Sequence, residues 1–397
     1  MRREVQRAAG GLLAVVALLT MLELAASPTT VGGRDMLSSA SIPPDNAPWR
    51  SFTPRAGMDG PVYALAVDGS GRLYAAGDFT TAGGVPAQRI AVWDGSTWSP
   101  LGAGFDGPVF ALAVDDTGHL YAGGDFVTAG SVSAHSIARW DGSAWSPLGS
   151  GTNGAVWTLA VAGDHLYAGG GFTVAGDLVV NYVARWDGSS WSPVGGGTNY
   201  WVWSLALDSS NDLYAGGEFT AAGGVDAAHV ARWDGSTWSP LGEGTDDLVY
   251  VLAVDGSDVY VGGTFSTAGG VAAAHVARWD GDEWHPLSSG LDGGICAMTV
   301  NEHGHVFVGG EFTTAGGVAA NYIARWDGSA WWPLGSGISG DAHALCADGS
   351  LVYAGGAFEF AGGQRVDGIA RWDGVSWSPL GLPHYLYLPL ALRAVTR

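Results

Sequence analysis

Seven Trp-Asp-Gly tripeptides punctuate the chain, with tryptophans Trp93, Trp140, Trp186, Trp233, Trp279, Trp326 and Trp372 spaced alternately 47 and 46 residues apart. A repeat of this length is one supersecondary unit that cannot bury its own apolar faces, so each copy must stack on its neighbours. A length of 397 residues alone would suggest two or three domains, but a period sustained over most of the chain argues for a single repetitive one.

One copy, residues 62 to 102, shows how such a unit folds. Val62 to Val67 is apolar at consecutive positions, as expected of a strand covered on both faces, and belongs at the centre. The turn Asp68 to Gly71 leads to a second strand from Leu73 to Phe79, in which Ala76 and Gly77 permit close approach of a neighbouring sheet. After a glycine-rich loop, Ile90 to Trp93 joins Trp98 to Leu101 through Asp94-Gly95, a strong hairpin signal. The last strand carries a proline in every copy (Pro100, Pro147, Pro193, Pro240, Pro286, Pro333, Pro379). Proline cannot donate to a ladder, so this strand is a guarded outer edge. The pattern predicts an all-β fold, a single seven-bladed β-propeller with four antiparallel strands per blade, over residues 48–382. An open solenoid would need distinct capping repeats, and the last copy is as complete as the first.

The glycine pairs Gly123-Gly124, Gly216-Gly217, Gly262-Gly263, Gly309-Gly310 and Gly355-Gly356, each followed by an aromatic-Asp turn and a Trp-x-x-Leu strand, resemble kelch-type, galactose-oxidase-like propeller repeats over residues 49 to 381. The first copy departs with Ala76-Gly77, and Trp stands where kelch repeats usually have Tyr. The fuller pattern GGxFTTAGGV followed by IARWDG is more similar to repeats of bacterial exported proteins and of fungal cortical polarity-marker proteins. That resemblance implies a propeller placed outside the cytoplasm and leaves its ligand open.

The ends agree with export. Arg2, Arg3 and Arg7 precede an apolar run from Ala8 to Leu22 and small residues at Ala25, Ala26 and Ser27, so residues 1–26 read as a signal peptide. The run is shorter than the ~20 residues of a spanning helix, which argues against a stable membrane span. Residues 27–47 read as a flexible leader and 383–397 as a C-terminal tail. Trp49 to Phe52 has outer-strand character and is expected to lie against the seventh blade near Trp377. The sequence thus predicts a secreted or cell-surface bacterial monomer. Cys296 and Cys346, the only two cysteines, sit at inner-strand positions whose heights differ by about 10 Å at ~3.3 Å per residue, too far for a disulfide.

Composition removes several functions. The net charge is −21 and the chain contains no lysine, which leaves no basic stripe for nucleic acid, no Schiff-base amine and no phosphate-loop lysine. His303 and His305 share a hairpin turn without a third ligand, no nucleophile elbow is present, and no copper-type Tyr and Cys pairing is recognisable. No metal, cofactor or catalytic residue is assigned.

The candidate binding residues lie in loops. Asp59, Asp106, Asn153, Asn199, Asp246, Asp292 and Ser339 occupy one position before the inner strand, where they would ring a channel mouth. They could be local Asx-turns, each bonding its own backbone, or a polar ring that attracts a cation or basic partner. Asp78, Asp125, Glu218 and Glu311 follow the glycine pair, but Gly171, Thr264 and Ala357 interrupt that series. Before the third strand the copies vary and include Tyr182, His229, His275 and Tyr322. Packing demands the same residue in every blade, so variation suits an asymmetric site on a symmetric frame. Trp201, an unrepeated tryptophan beside Asn199 and Tyr200, joins the same face and suits sugar stacking as well as loop packing. Two functions follow as expectations. One is a noncatalytic binding scaffold for a protein or glycan; the other is an extracellular carbohydrate-active hydrolase or lyase using acidic residues at the channel mouth.

Overall fold

Each Trp-Asp-Gly turn is closed by its own aspartate. Asp94 Oδ1 accepts hydrogen bonds from the backbone N–H groups of Ser96 and Thr97 at 2.8 and 2.7 Å, which fixes the hairpin between the third and outer strands. In the computed structural model, which describes residues 56–381, this hairpin recurs in seven four-stranded antiparallel sheets. Blade 1 orders Val62–Val67, Leu73–Gly77, Ile90–Trp93 and Trp98–Pro100 from centre to rim, all from one repeat. A short hairpin of Thr81–Ala82 and Val85–Pro86 rises from the loop between the second and third strands, and every blade has its counterpart.

The repeated tryptophans are packing anchors. Trp93 and Trp98 pair across the hairpin with ring centroids 5.4 Å apart, and the other six blades repeat that contact. The indole of the outer strand also staples each blade to the preceding one. Trp145 donates to the Leu101 carbonyl, Trp191 to Leu148 and Trp238 to Val194. At the seam Trp98 donates to the Leu380 carbonyl at 2.9 Å, so the ring closes through the same bond that joins its interior blades. The apolar cores lie between blades: Val62, Leu73, Phe79 and Trp98 of blade 1 pack with Tyr353, Ile369 and Leu380 of blade 7.

The glycine pair has a separate reason at each position. A side chain on Gly216 would meet Val249 of the next blade, whereas one on Gly217 would collide with the backbone carbonyl of Trp201. The inner strand is less enclosed than its unbroken apolar sequence implies: Val62 and Ala64 are buried and the other four residues half-buried, with Tyr63 lining the channel while Leu65 and Val67 pack against the interblade core. The leader, Trp49 to Phe52 and the C-terminal tail lie outside the described residues. The seventh blade has its own outer strand, Trp377–Pro379. Both cysteines are free. Among the described residues no helix is long and apolar enough to cross a membrane.

Candidate functional site: an aromatic channel mouth

Every inner strand carries a β-bulge at its second residue. In blade 1 Val62 pairs with Gly77 and Ala64 with Ala76, which leaves Tyr63 unpaired between them, and the other six blades have the same irregularity. A bulge re-aims the side chain it isolates. Here the isolated residues are Tyr63, Phe110, Trp157, Trp203, Tyr250, Cys296 and His343, and all seven line a central cavity of about 260 Å³. Five of the seven are aromatic. Cys296 leaves the wall open because its side chain is short. Its thiol is exposed at the wall and donates to the Ala342 carbonyl at 3.3 Å.

The aromatic wall is densest on blades 3 to 5. Trp157 and Trp203 are stacked with centroids 4.1 Å apart, and Tyr250 meets Trp203 edge-on at 6.1 Å. Trp201 stands edge-on to both tryptophans, at 5.3 Å from Trp157 and 5.8 Å from Trp203, and stacks on Tyr200 at 4.8 Å. Tyr200 in turn lies 6.1 Å from Tyr182. An unbroken run of six aromatic rings therefore descends from the loop face into the channel. Sequence reasoning found Trp201 and Tyr182 but missed Trp157, Trp203 and Tyr250. The available signal was variation, since the bulged position changes between Tyr, Phe, Trp, Cys and His while the residues on either side of it stay small or β-branched.

The loop before the third strand holds its last residue in the left-handed region: φ is 64° at Arg89, 70° at Ser136 and Tyr182, 66° at His229, 67° at His275 and 63° at Tyr322. Only blade 7 uses glycine there, Gly368. The backbone requirement is common to all blades, because the carbonyl of this residue accepts from the second glycine of the pair, as in Gly217 N–H to His229 O. Bulky side chains at positive φ are disfavoured by sterics, so Tyr182, His229, His275 and Tyr322 are retained against a local strain. Tyr182 alone of these four joins the aromatic run. Tyr322 packs against the core between blades 6 and 7. The Nδ1 atoms of His229 and His275 are sealed from solvent without a partner.

The aspartates before the inner strand do something different from a local turn. Asp59 Oδ1 accepts from the backbone N–H groups of Thr80 and Thr81 at 2.7 and 2.8 Å, while Oδ2 accepts from the Thr80 hydroxyl at 2.6 Å. Asp106, Asp246 and Asp292 make the same clamp on Val127, Ser266 and Thr313 and the residues after them. Asn153, Asn199 and Ser339 substitute for them in blades 3, 4 and 7. The partner segment lies 20 to 22 residues on, so the side chain ties the lead-in loop to the short hairpin of its own blade. Burial pushes the Asp246 and Asp292 carboxyls up, but these bonds outweigh it and hold both at about 2. Their oxygens are committed to the loop scaffold.

The carboxylates left over sit elsewhere. Asp78 is bonded by Arg89 at 3.1 Å. Burial and then the charge of Asp247 push Glu218 up, and burial and then Asp341 do the same to Glu311. Among the described residues no three His, Cys, Asp or Glu side chains are grouped to hold a metal ion.

The comparisons agree with this architecture. The family described as Rax2 C-terminal beta propeller domain matches residues 50–201. No curated protein matches. Among solved structures, the extracellular domain of a one-component system from B. thetaiotaomicron superposes with a TM-score of 0.53 at 12% identity, over 79% of this chain and 38% of that one. The chain thus spans well under half of that domain. The WD40 beta propeller domain of Doa1 gives 0.52 at 15% identity, covering 76% of this chain and 90% of its own. The computationally designed protein Ika8 gives 0.50 at 17% identity, covering 80% and 98%. At such identities the likeness shows the fold: this chain is a propeller repeat protein.

Proposed function

We propose that the chain is an exported, noncatalytic binding propeller of kelch-like type that acts as a monomer outside a bacterial cell and presents its loop face to a protein or glycan. The observation that carries this reading is the aromatic run from Tyr182 through Tyr200 and Trp201 to Trp157, Trp203 and Tyr250, which breaks the sevenfold symmetry on one side of the ring. Aromatic rings supply large contact area at low entropic cost, and Tyr200 in this run is exposed on the loop face. The Asp clamps support the same reading, because they hold the loops in place before any partner arrives. The opposite face is mainly short turns whose aspartates are engaged with their own backbone, as Asp68 is with Ser70 and Arg72. Export is supported by the composition of residues 1–26 and by the extracellular setting of one structural neighbour.

The test is a panel of polysaccharides and surface polypeptides screened against the purified chain and two variants. Trp201→Ala with Tyr182→Ala is expected to weaken binding by about tenfold or more, measured at a temperature where the variant, which loses some core packing, is still fully folded. Thr117→Ala with Ser210→Ala, in turns of the opposite face, is expected to leave it intact. Binding that survives the first pair and fails with the second would place the site on the wrong face.

A further inference from the structure

The channel mouth has two unlike walls. On blades 3 and 4 it is aromatic, formed by Trp157, Trp201 and Trp203. The lead-in loops and the residues after the glycine pairs on blades 4 to 7 carry Glu218, Asp247, Glu311 and Asp341: the Glu218 N–H donates to the Trp201 carbonyl at 3.0 Å, the Glu311 N–H to the Gly294 carbonyl at 2.9 Å, and the Asp341 carbonyl accepts from the Ala357 N–H at 3.0 Å. Among the described residues none of these four carboxylates has an ion-pair partner, and the chain contains no lysine to supply one. Two arginines of the loop face are engaged elsewhere: Arg89 pairs with Asp78 and Arg365 with Asp367. Unneutralised carboxylates beside an apolar wall raise the energy of the free protein, and a cation placed among them removes that cost.

Two polar atoms on residues that line the cavity, on opposite sides of the ring, lack a partner independently of charge. Nε2 of His343 and Nε1 of Trp203, both on cavity-lining residues, are sealed from solvent and have no hydrogen-bond partner. Buried polar atoms are ordinarily satisfied, so a pair of orphans in one cavity marks a place where a ligand completes the bonding. Burial lowers the His343 imidazole below its ordinary range, against the opposing charge of Asp341, and a neutral ring offers Nε2 as acceptor in one tautomer and as donor in the other.

We propose that the channel mouth receives a basic side chain, above all an arginine, from a partner polypeptide, its cationic head held between the Trp201 and Trp203 wall and the arc of Glu218, Asp247, Glu311 and Asp341. A guanidinium stacks on indole and offers its remaining N–H groups to carboxylates in one plane, which matches both walls at once. A sugar would use the rings but has no need of four like charges. Tyr200 and Tyr182 continue outward from the mouth and give the flanking main chain a surface to lie on. This rests on the loop face being the binding face.

The test is calorimetric titration of the full chain with the capped peptide Gly-Arg-Arg-Gly amide and with its citrulline isostere, which keeps shape and loses charge. Saturable one-to-one binding of the arginine peptide is expected, weakened about tenfold or more by citrulline and by Glu311→Gln with Asp341→Asn. Asp177→Asn with Asp226→Asn removes the same net charge from the exposed short hairpins and is expected to leave affinity unchanged. Equal binding of the citrulline peptide, an equal loss in the hairpin variant, or no saturable binding each overturns the proposal. A panel polysaccharide whose binding is lost in Trp201→Ala while the arginine peptide does not bind would sink this inference and leave the binding face standing. If nothing that binds responds to Trp201→Ala, the face itself is wrong.

Discussion

Hydrogen bonding separates two groups of carboxylates on the loop face. Asp246 and Asp292 accept from hydroxyl and backbone donors of the loop they clamp, whereas Glu311 and Asp341 accept from none and repel each other. The first group is structural. Removing the clamp with Asp246→Ala is expected to cost about 1 kcal/mol, a value discounted because the side chain is exposed, with Asp246→Asn recovering much of it since Asn199 makes the same clamp in blade 4. Because the folded value of about 2 lies below the ordinary 3.8, this stabilisation is fully present above pH ~4 and lost as pH falls through about 2. Thermal melts at stepped pH should therefore show wild type losing more stability between pH 4 and pH 2 than Asp246→Asn does. Parallel pH curves would refute the assignment. In sequence this clamp is indistinguishable from an Asx-turn, because its partner lies 20 to 22 residues away and no local spacing announces it.

At the scale of the element, the glycine pair and the bulge are one device. The second glycine lets the lead-in carbonyl approach, and the bulge opposite it turns the next side chain toward the channel. Gly217→Ala would force a side chain into the Trp201 carbonyl and is expected to cost about 3 kcal/mol or more. Gly216→Ala meets side chains only, those of Val249 and Leu252, and should cost clearly less, since Ala76 occupies that position in blade 1. Urea unfolding of the two variants compares them directly; equal losses would mean that interblade packing, not carbonyl approach, sets the requirement. The blade plan was legible because turn, proline and tryptophan act locally and recur. The channel lining was not legible, since a bulge breaks the two-residue alternation on which inward and outward assignments depend. Val62 to Val67 consequently reads as a strand buried on both faces, when Tyr63 lies open to the lumen.

For the whole molecule, identical indole staples on all seven seams mean that closure needs no special strand within residues 56–381. Trp98→Phe at the seam and Trp238→Phe in the interior should then cost the same, about 2 kcal/mol each for a lost hydrogen bond and a small cavity. A markedly milder Trp98→Phe would reveal a looser seam. The ring is symmetric in its frame and asymmetric in its channel, and the functional claim rests on that difference. Hydroxyl-radical footprinting with a bound panel ligand tests it most directly, because Tyr200 and Trp201 at the mouth can be compared with Trp332, a 49% exposed tryptophan on the outer strand of blade 6. The account predicts protection of Tyr200 and Trp201 with Trp332 oxidised as in the free protein; protection of Trp332 with none at Tyr200 and Trp201 would contradict it.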